Sequence, residues 1–158
     1  MKIEQVNKQN YGEVFTLQRA AFVNEARLYG TPDIPSLNEE FNNFCVRMSE
    51  SDSWAAIDGN RIVGAVSLRI YRGAPDVERL MVAPDRRGEG IATLLLSALE
   101  NAALESGHST IQLILGDAAT DNRQIYTHLG WLHANTCQLP GNPSVILHTM
   151  KKKLIGPV

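Results

Sequence analysis

The stretch from Val77 to Glu100, VERLMVAPDRRGEGIATLLLSALE, constrains the fold of this chain more than any other. Val77, Leu80, Met81 and Val82 form an apolar run of strand length, and Pro84-Asp85 ends it because proline has no N–H to give a ladder. From Ile91 the apolar positions Ile91, Leu94, Leu95, Ala98, Leu99 and Ala102 recur at the spacing that lays one stripe of a helix on a core. Between strand and helix, Gly88 and Gly90 leave positions where backbone N–H groups can approach a ligand closely. The first-turn N–H groups of a helix have no intrahelical partner and carry the positive end of its dipole, so the loop suits a phosphate, and Arg86 and Arg87 add charge. A turn before an ordinary surface helix would explain the glycines, but not the strand, Pro turn and long amphipathic helix in this order. A dinucleotide site fits less well: Gly88-x-Gly90-x-x ends in Thr93, with no evident ribose-binding acid about 20 residues on.

A chain of 158 residues, 44% hydrophobic and 20% charged, is expected to form one domain over 1–158 with a sizeable core. A net charge of -2 speaks against a nucleic-acid binder, which needs a basic face. Cys45 and Cys137 stand alone, without the spacing of a disulfide framework or a zinc site. The start lacks the apolar core of a signal peptide and no run reaches the length of a membrane span, so a cytoplasmic protein is expected.

The rest of the chain alternates strand and helix signals. Lys2 to Val6 reads as a strand, and Asn10 as the cap of a helix with Val14, Phe15, Leu17, Ala20, Ala21 and Phe22 at helical spacing. Asn24 to Ser36, broken by Gly30, Pro32 and Pro35, reads as a loop, and Ser36 with Glu39 as the capping box of a second helix. Ser53–Ile57 and Arg61–Ile70 flank Asp58-Gly59-Asn60 as a hairpin, and Gly64 signals a bulge or a close backbone approach. Thr110–Leu115 follows the long helix and is expected to lie parallel beside the central strand. Two parallel strands diverging at their C-terminal ends open the crevice where such sheets hold ligands. A short helix from Thr120 is closed by Gly130, and Leu132–Leu139 and Pro143–Leu154 read as a final antiparallel pair.

At Arg87, Gly90 and Ala92 the sequence resembles the GNAT superfamily of N-acetyltransferases, whose central motif is Arg/Gln-x-x-Gly-x-Gly/Ala after a strand of this kind. A second motif, Tyr126-x-x-x-Gly130-Trp131 with Asn122 four residues ahead, fits the same superfamily, although Ala119 stands where one cofactor contact is usual. Residues 20–29 resemble the branch with this shorter interval. The resemblance implies an α/β acyl-coenzyme A N-acyltransferase fold: a mixed, mostly antiparallel sheet with a splayed parallel central pair and helices on both faces. It implies that Arg87, Gly88, Glu89, Gly90, Ile91, Ala92 and Thr93 hold the pyrophosphate of acetyl-coenzyme A. Leu80, Met81 and Val82 would pair with its pantetheine arm, and Asn122 and Tyr126 would complete the cofactor contacts. Acetyl-coenzyme A is the expected co-substrate, no metal is expected, and the expected partner is a small-molecule or peptide amine rather than nucleic acid or membrane. A homodimer is allowed.

Acetyl transfer to an amine needs a proton donor for the departing thiolate and a base for the ammonium. A tyrosine, with a pKa near 10, can donate to a thiolate whose acid has a pKa of roughly 8.5, and Tyr126 is the candidate. Glu78 is the candidate base, with Asp76, Glu25 or a water left open; strand alternation predicts Asp76, Glu78, Leu80 and Val82 on one face. His108, His128, His133 and His148 look unclustered and receive no role. Neither cysteine lies in the loop motif, so direct transfer is expected. The rival reading is a regulatory module that binds acetyl-coenzyme A without turnover.

Overall fold

The computed structural model describes residues 1–117 and 120–155; Ala119 lies outside them. The chain runs β1 (Lys2–Gln5), α1 (Tyr11–Ala21), α2 (Val23–Tyr29), α3 (Pro35–Asn38), α4 (Phe41–Ser49), β2 (Asp52–Asp58), β3 (Arg61–Tyr71), β4 (Ala74–Val82), α5 (Ile91–Glu105), β5 (Thr110–Gly116), α6 (Thr120–His128), β6 (Leu132–Leu139) and β7 (Asn142–Lys153). The strands form one sheet in the order β1-β2-β3-β4-β5-β7-β6, antiparallel throughout except where β5 runs parallel to β4. This is the mixed sheet expected from the sequence, with helices on both faces. Among the described residues no helix is long and apolar enough to cross a membrane.

Each face of the sheet has its own core. On one side α5 lays Ile91, Leu95 and Leu99 against Val63, Val66 and Val77, continuing to Ile111, Trp131 and Met150. On the other, Val14 and Leu17 of α1 and Phe44 and Met48 of α4 cover Ala65 and Met81. Burying each large side chain contributes about 1.5–3 kcal/mol, so these stripes hold the helices where their propensity alone would not. Gly64 permits the contact with α5: a Cβ there would lie 2.8 Å from Ile91 Cγ2 and 3.1 Å from the Met81 carbonyl oxygen. The glycine therefore serves a close approach, beside a register shift between β2 and β3.

Several local expectations change. Asn7, not Asn10, caps the N-terminal turn: its Oδ1 accepts from Gln9 N at 2.9 Å, while Asn7 N donates to Asn10 Oδ1 at 3.0 Å. Much of the segment expected as a loop is α2, which continues the helical path after a break at Phe22 and ends at Gly30, in the left-handed region at φ 69°. Glu39 does not box Ser36, because it turns to Arg47 and Gln18, and the expected second helix is split into α3 and α4.

The largest correction lies in β4. Ala65 pairs with Met81 but Ser67 pairs with Glu78, so β4 carries one residue more than β3 across this interval. The bulge centres on Arg79, whose φ of 53° is in the left-handed region. An extra residue reverses the alternation. Val77, Leu80 and Val82 accordingly all pack toward α5, whereas Glu78 turns toward Arg47 of α4, so the predicted shared face of Asp76, Glu78, Leu80 and Val82 does not form. The second feature is the seam beside it: β4 and β5 are paired in register at Asp76 and Gln112, where Gln112 Nε2 donates to Asp76 Oδ1 at 2.5 Å, and the strands part beyond that point.

Candidate functional site

The seam opens into a cavity of about 570 Å³. Its walls are the ends of three elements: Leu80, Met81 and Val82 of β4, the Arg86–Ala92 loop at the start of α5, and Asn122, Ile125 and Tyr126 of α6. The α1–α2 junction closes it through Ala21, Phe22, Asn24, Glu25 and Leu28. Positions 122, 125 and 126 share one face of α6 because helical neighbours lie three and four residues apart. Because β5 diverges, the edge of β4 at Leu80–Val82 that faces the seam has no strand partner, and its backbone groups are open to an extended ligand.

The loop is shaped by Gly88 at φ 82° and Gly90 at φ 79°, both left-handed. Gly90 precedes α5 without capping it, so the N–H groups of the first turn point toward the cavity end unshielded. Arg87 donates from Nη2 to the Ala21 carbonyl at 2.9 Å and ties the loop to the end of α1. Arg86 is engaged on the outer side, 2.9 Å from Asp58 and 2.7 Å from Glu89, and these partners hold its guanidinium strongly charged. Its charge therefore braces the loop while the residue also borders the cavity. Of the predicted cofactor residues, Leu80, Met81, Val82, Arg87, Gly88, Gly90, Ile91, Ala92, Asn122 and Tyr126 line the cavity; Glu89 and Thr93 do not.

The two residues given chemical roles are separated. Tyr126 lies on the cavity wall with its ring edge-on to buried Trp131, centroids 5.7 Å apart. Burial, then the nearby Glu25 charge, pushes its hydroxyl well above the ordinary tyrosine value, so it stays protonated. Glu78 is not on the cavity wall; its carboxylate lies 3.9 Å from Arg47 Nη1. Glu25 is on the wall, and burial pushes its carboxyl above the ordinary 4.5 against the opposing pull of Arg79. Asp76 is likewise raised by burial but is tied to Gln112 behind the seam. Among the acids considered, Glu25 alone joins the cavity, and its position on a helix was hidden while residues 24–36 read as a loop.

Two further clusters escaped sequence reasoning because each is assembled from distant segments. Behind Glu25, Arg47 donates from Nε to Glu39 Oε2 at 2.8 Å and from Nη2 to Gln18 Oε1 at 3.1 Å, with Arg79 close enough for their charges to interact. Burial works against the Glu39 charge, but bonds from Arg47 and Gln18 outweigh it and hold the carboxyl below its usual value. On the opposite face of α6, His133 and His148 are adjacent after all, Nε2 to Nδ1 3.1 Å, and His148 Nε2 lies 2.6 Å from Asp117 and 2.8 Å from Arg123 Nη1. The β6–β7 hairpin brings these histidines together; they border a separate hollow and do not reach the cavity described above. Among the described residues no group of three His, Cys, Asp or Glu side chains is arranged to hold a metal ion.

Comparison with known proteins agrees with this geometry. The sequence model of the Acetyltransferase (GNAT) family matches residues 13–131. The uncharacterized N-acetyltransferase YjcF of Bacillus subtilis is 27% identical over 103 residues, a match that takes in 65% of this chain and 66% of that protein, just under two thirds of its length. The ribosomal-protein-S18-alanine N-acetyltransferase of Escherichia coli superposes with a TM-score of 0.79 over 99% of this chain and 96% of that one, at 12% identity. An aminoglycoside 6'-N-acetyltransferase solved with coenzyme A superposes with a TM-score of 0.75 over 100% and 99% of the two chains, at 18% identity. At such identities the superpositions establish the fold.

Proposed function

Because the chain belongs to the GNAT acetyltransferase family, we propose that residues 1–158 form one domain that transfers the acetyl group of acetyl-coenzyme A directly to a primary amine. The observation carrying this reading is the unpaired edge of Leu80–Val82 running into the uncapped start of α5, with Tyr126 opposite on the same cavity. The glycine loop fits a pyrophosphate: a Cβ at Gly88 or Gly90 would meet no neighbouring atom, but both residues need the left-handed backbone that turns their N–H groups outward. Acetyl-coenzyme A supplies the activated thioester when bound.

This chain's groups do the rest. Backbone N–H groups of Gly88, Gly90, Ile91 and Ala92 bind the pyrophosphate, with Arg87 tying the loop to Ala21. Backbone groups of Leu80–Val82 align the pantetheine arm, and an N–H there stabilises the negative charge growing on the thioester oxygen. Asn122 contributes a polar side chain from α6. Glu25 takes a proton from the acceptor ammonium; its raised carboxyl is the stronger base for that reason. Glu78, near Arg47 and away from the cavity wall, takes no direct part in the transfer. Tyr126, protonated throughout the physiological range, hydrogen-bonds the leaving sulfur and passes it a proton as the carbon–sulfur bond breaks. A base and a donor kept apart in protonation by their surroundings are what the reaction requires.

The test is calorimetric titration with acetyl-coenzyme A, with NAD and a Gly90→Glu variant as controls, followed by an amine screen that detects released thiol. Coenzyme binding lost in the variant and turnover on an amine are expected. A folded wild type that ignores the coenzyme overturns the reading, and binding without turnover across a broad panel makes the protein a coenzyme-binding module.

A further inference from the structure

α2 lies over the seam with little core beneath it. Of its seven residues Ala26 alone is buried, Val23 and Leu28 are exposed, and a helix this short is not stable by itself in water. Contacts at its two ends therefore weigh heavily in where it lies. Ahead of its start, Arg87 of the glycine loop donates to the Ala21 carbonyl at 2.9 Å. At its other end the half-buried Tyr29 reaches across to Gly116, the last residue of β5.

The fit at Gly116 leaves no room for a side chain. A Cβ there would overlap the Tyr29 hydroxyl oxygen and lie 2.6 Å from Cζ. Gly116 does not have a positive φ, so its backbone conformation asks for no glycine, and glycine within a strand weakens it. What the missing side chain provides is a socket for the tyrosine. The floor of that socket is fixed from the far side: Gly116 pairs with Leu147 of β7, and Asp117 N donates to the Ile146 carbonyl at 2.9 Å. Tyr29 does not line the cavity, but Glu25, four residues ahead on the same helix face, does. A displacement of α2 that takes Tyr29 out of its socket carries the Glu25 carboxylate with it.

Resting on the acetyltransferase reading above, in which Glu25 is the base, we propose that Tyr29 is a positioning residue. Seated on Gly116, it pins the end of α2 to β5 and fixes the Glu25 carboxylate over the seam where the acceptor ammonium arrives. Tyr29 neither touches the acceptor nor moves a proton.

The test compares Tyr29→Ala, Gly116→Ala and their combination, with melting curves to verify each fold; Tyr29→Ala decides alone where Gly116→Ala does not fold. Alanine is a strong helix former, so Tyr29→Ala removes the anchor without weakening α2 itself. Carbon-13 NMR titration of the glutamate side chains should place the Glu25 midpoint above 4.5 in the wild type and lower it toward 4.5 in each single variant, as water reaches the carboxylate. With the amine that the wild type acetylates best, kcat/KM should fall about 10–100-fold in each while acetyl-coenzyme A affinity is retained, the scale of a misplaced catalytic group. The double variant should match Tyr29→Ala, because the new methyl then meets an empty socket. Added to Glu25→Gln, Tyr29→Ala should cost no more than about twofold. An unchanged Glu25 titration, additive losses in the double variant, or a full loss on top of Glu25→Gln overturns the positioning role and leaves the acetyltransferase reading intact. A folded wild type that does not bind acetyl-coenzyme A overturns both.

Discussion

Replacing Gly64 by alanine tests whether packing beneath the glycine loop sets the cofactor site. The added Cβ would lie 2.8 Å from Ile91 Cγ2, 3.0 Å from Leu95 Cδ1 and 3.1 Å from the Met81 carbonyl oxygen. Carbon contacts are optimal near 3.5–4.0 Å, so the methyl intrudes by about 0.7 Å or more on α5. The carbonyl cannot withdraw freely, because Val82 pairs with Gly64 and Ala83 N donates to Val63 O at 2.8 Å. Yielding therefore falls to Ile91 and Leu95, and Ile91 is the first residue of α5. Overpacking of this kind costs about 1–3 kcal/mol, and at this chain length each kcal/mol moves the melting temperature by roughly 2–4 °C. Differential scanning calorimetry should register a fall of about 2–12 °C, and titration should register weaker acetyl-coenzyme A binding as the loop is displaced. Gly12→Ala is the control of opposite sign: it lies in α1 with no atom within 4 Å of the new Cβ, and relief of glycine's backbone entropy should stabilise by about 0.5 kcal/mol. A Gly64→Ala melting point within about 1 °C of wild type, with Gly12→Ala behaving as expected, would refute the reasoning.

Further outcomes concern the chemistry. Glu25→Gln should slow acetyl transfer about 10²–10⁴-fold with coenzyme affinity retained, whereas Glu78→Gln should cost far less; the reverse order in steady-state kinetics would return the base to β4. Glu25→Gln also has a stability signature: a carboxyl raised by burial favours the folded state below pH 4.5 and loses that contribution as pH rises through its elevated value. The melting temperature of Glu25→Gln relative to wild type should thus increase between about pH 4 and pH 8, and a flat or falling difference contradicts a buried carboxylate. Tyr126→Phe should lower kcat by about 100-fold without weakening coenzyme binding, and wild-type rates should show no alkaline loss attributable to this hydroxyl below about pH 10, because its ionisation is pushed upward. In Gly90→Glu, strain at φ 79° and a carboxylate facing a pyrophosphate act together, and calorimetry should find coenzyme binding abolished in a chain that still melts cooperatively.

Local signals were legible wherever one segment settles its own conformation. The apolar stripe of Ile91–Ala102, the Asp58-Gly59-Asn60 turn and the strand on either side of it depend on short-range sterics and periodicity, and they form where the pattern puts them. The backbone of the Arg87–Ala92 loop was readable for the same reason, since glycines in such a turn before a helix take the left-handed conformation that other residues rarely adopt. The parallel placement of β5 followed from the crossover rule.

What the chain could not announce is decided by contacts between remote segments. The bulge at Arg79 arises from the register of β4 against β3, and one residue of slip turns Glu78 from the expected face to Arg47. Glu25 acquires its raised carboxyl only once α2 lies over the seam and water is withdrawn, and the His133–His148 contact exists only after β6 folds back on β7. Periodicity and turn chemistry act over a few residues, and they determined the strands, helices and glycine loop; protonation and the pairing of charges depend on the local dielectric and on partners from other elements, such as Gln18 at 29 positions from Arg47, so only the assembled sheet decided which acid faces the cavity.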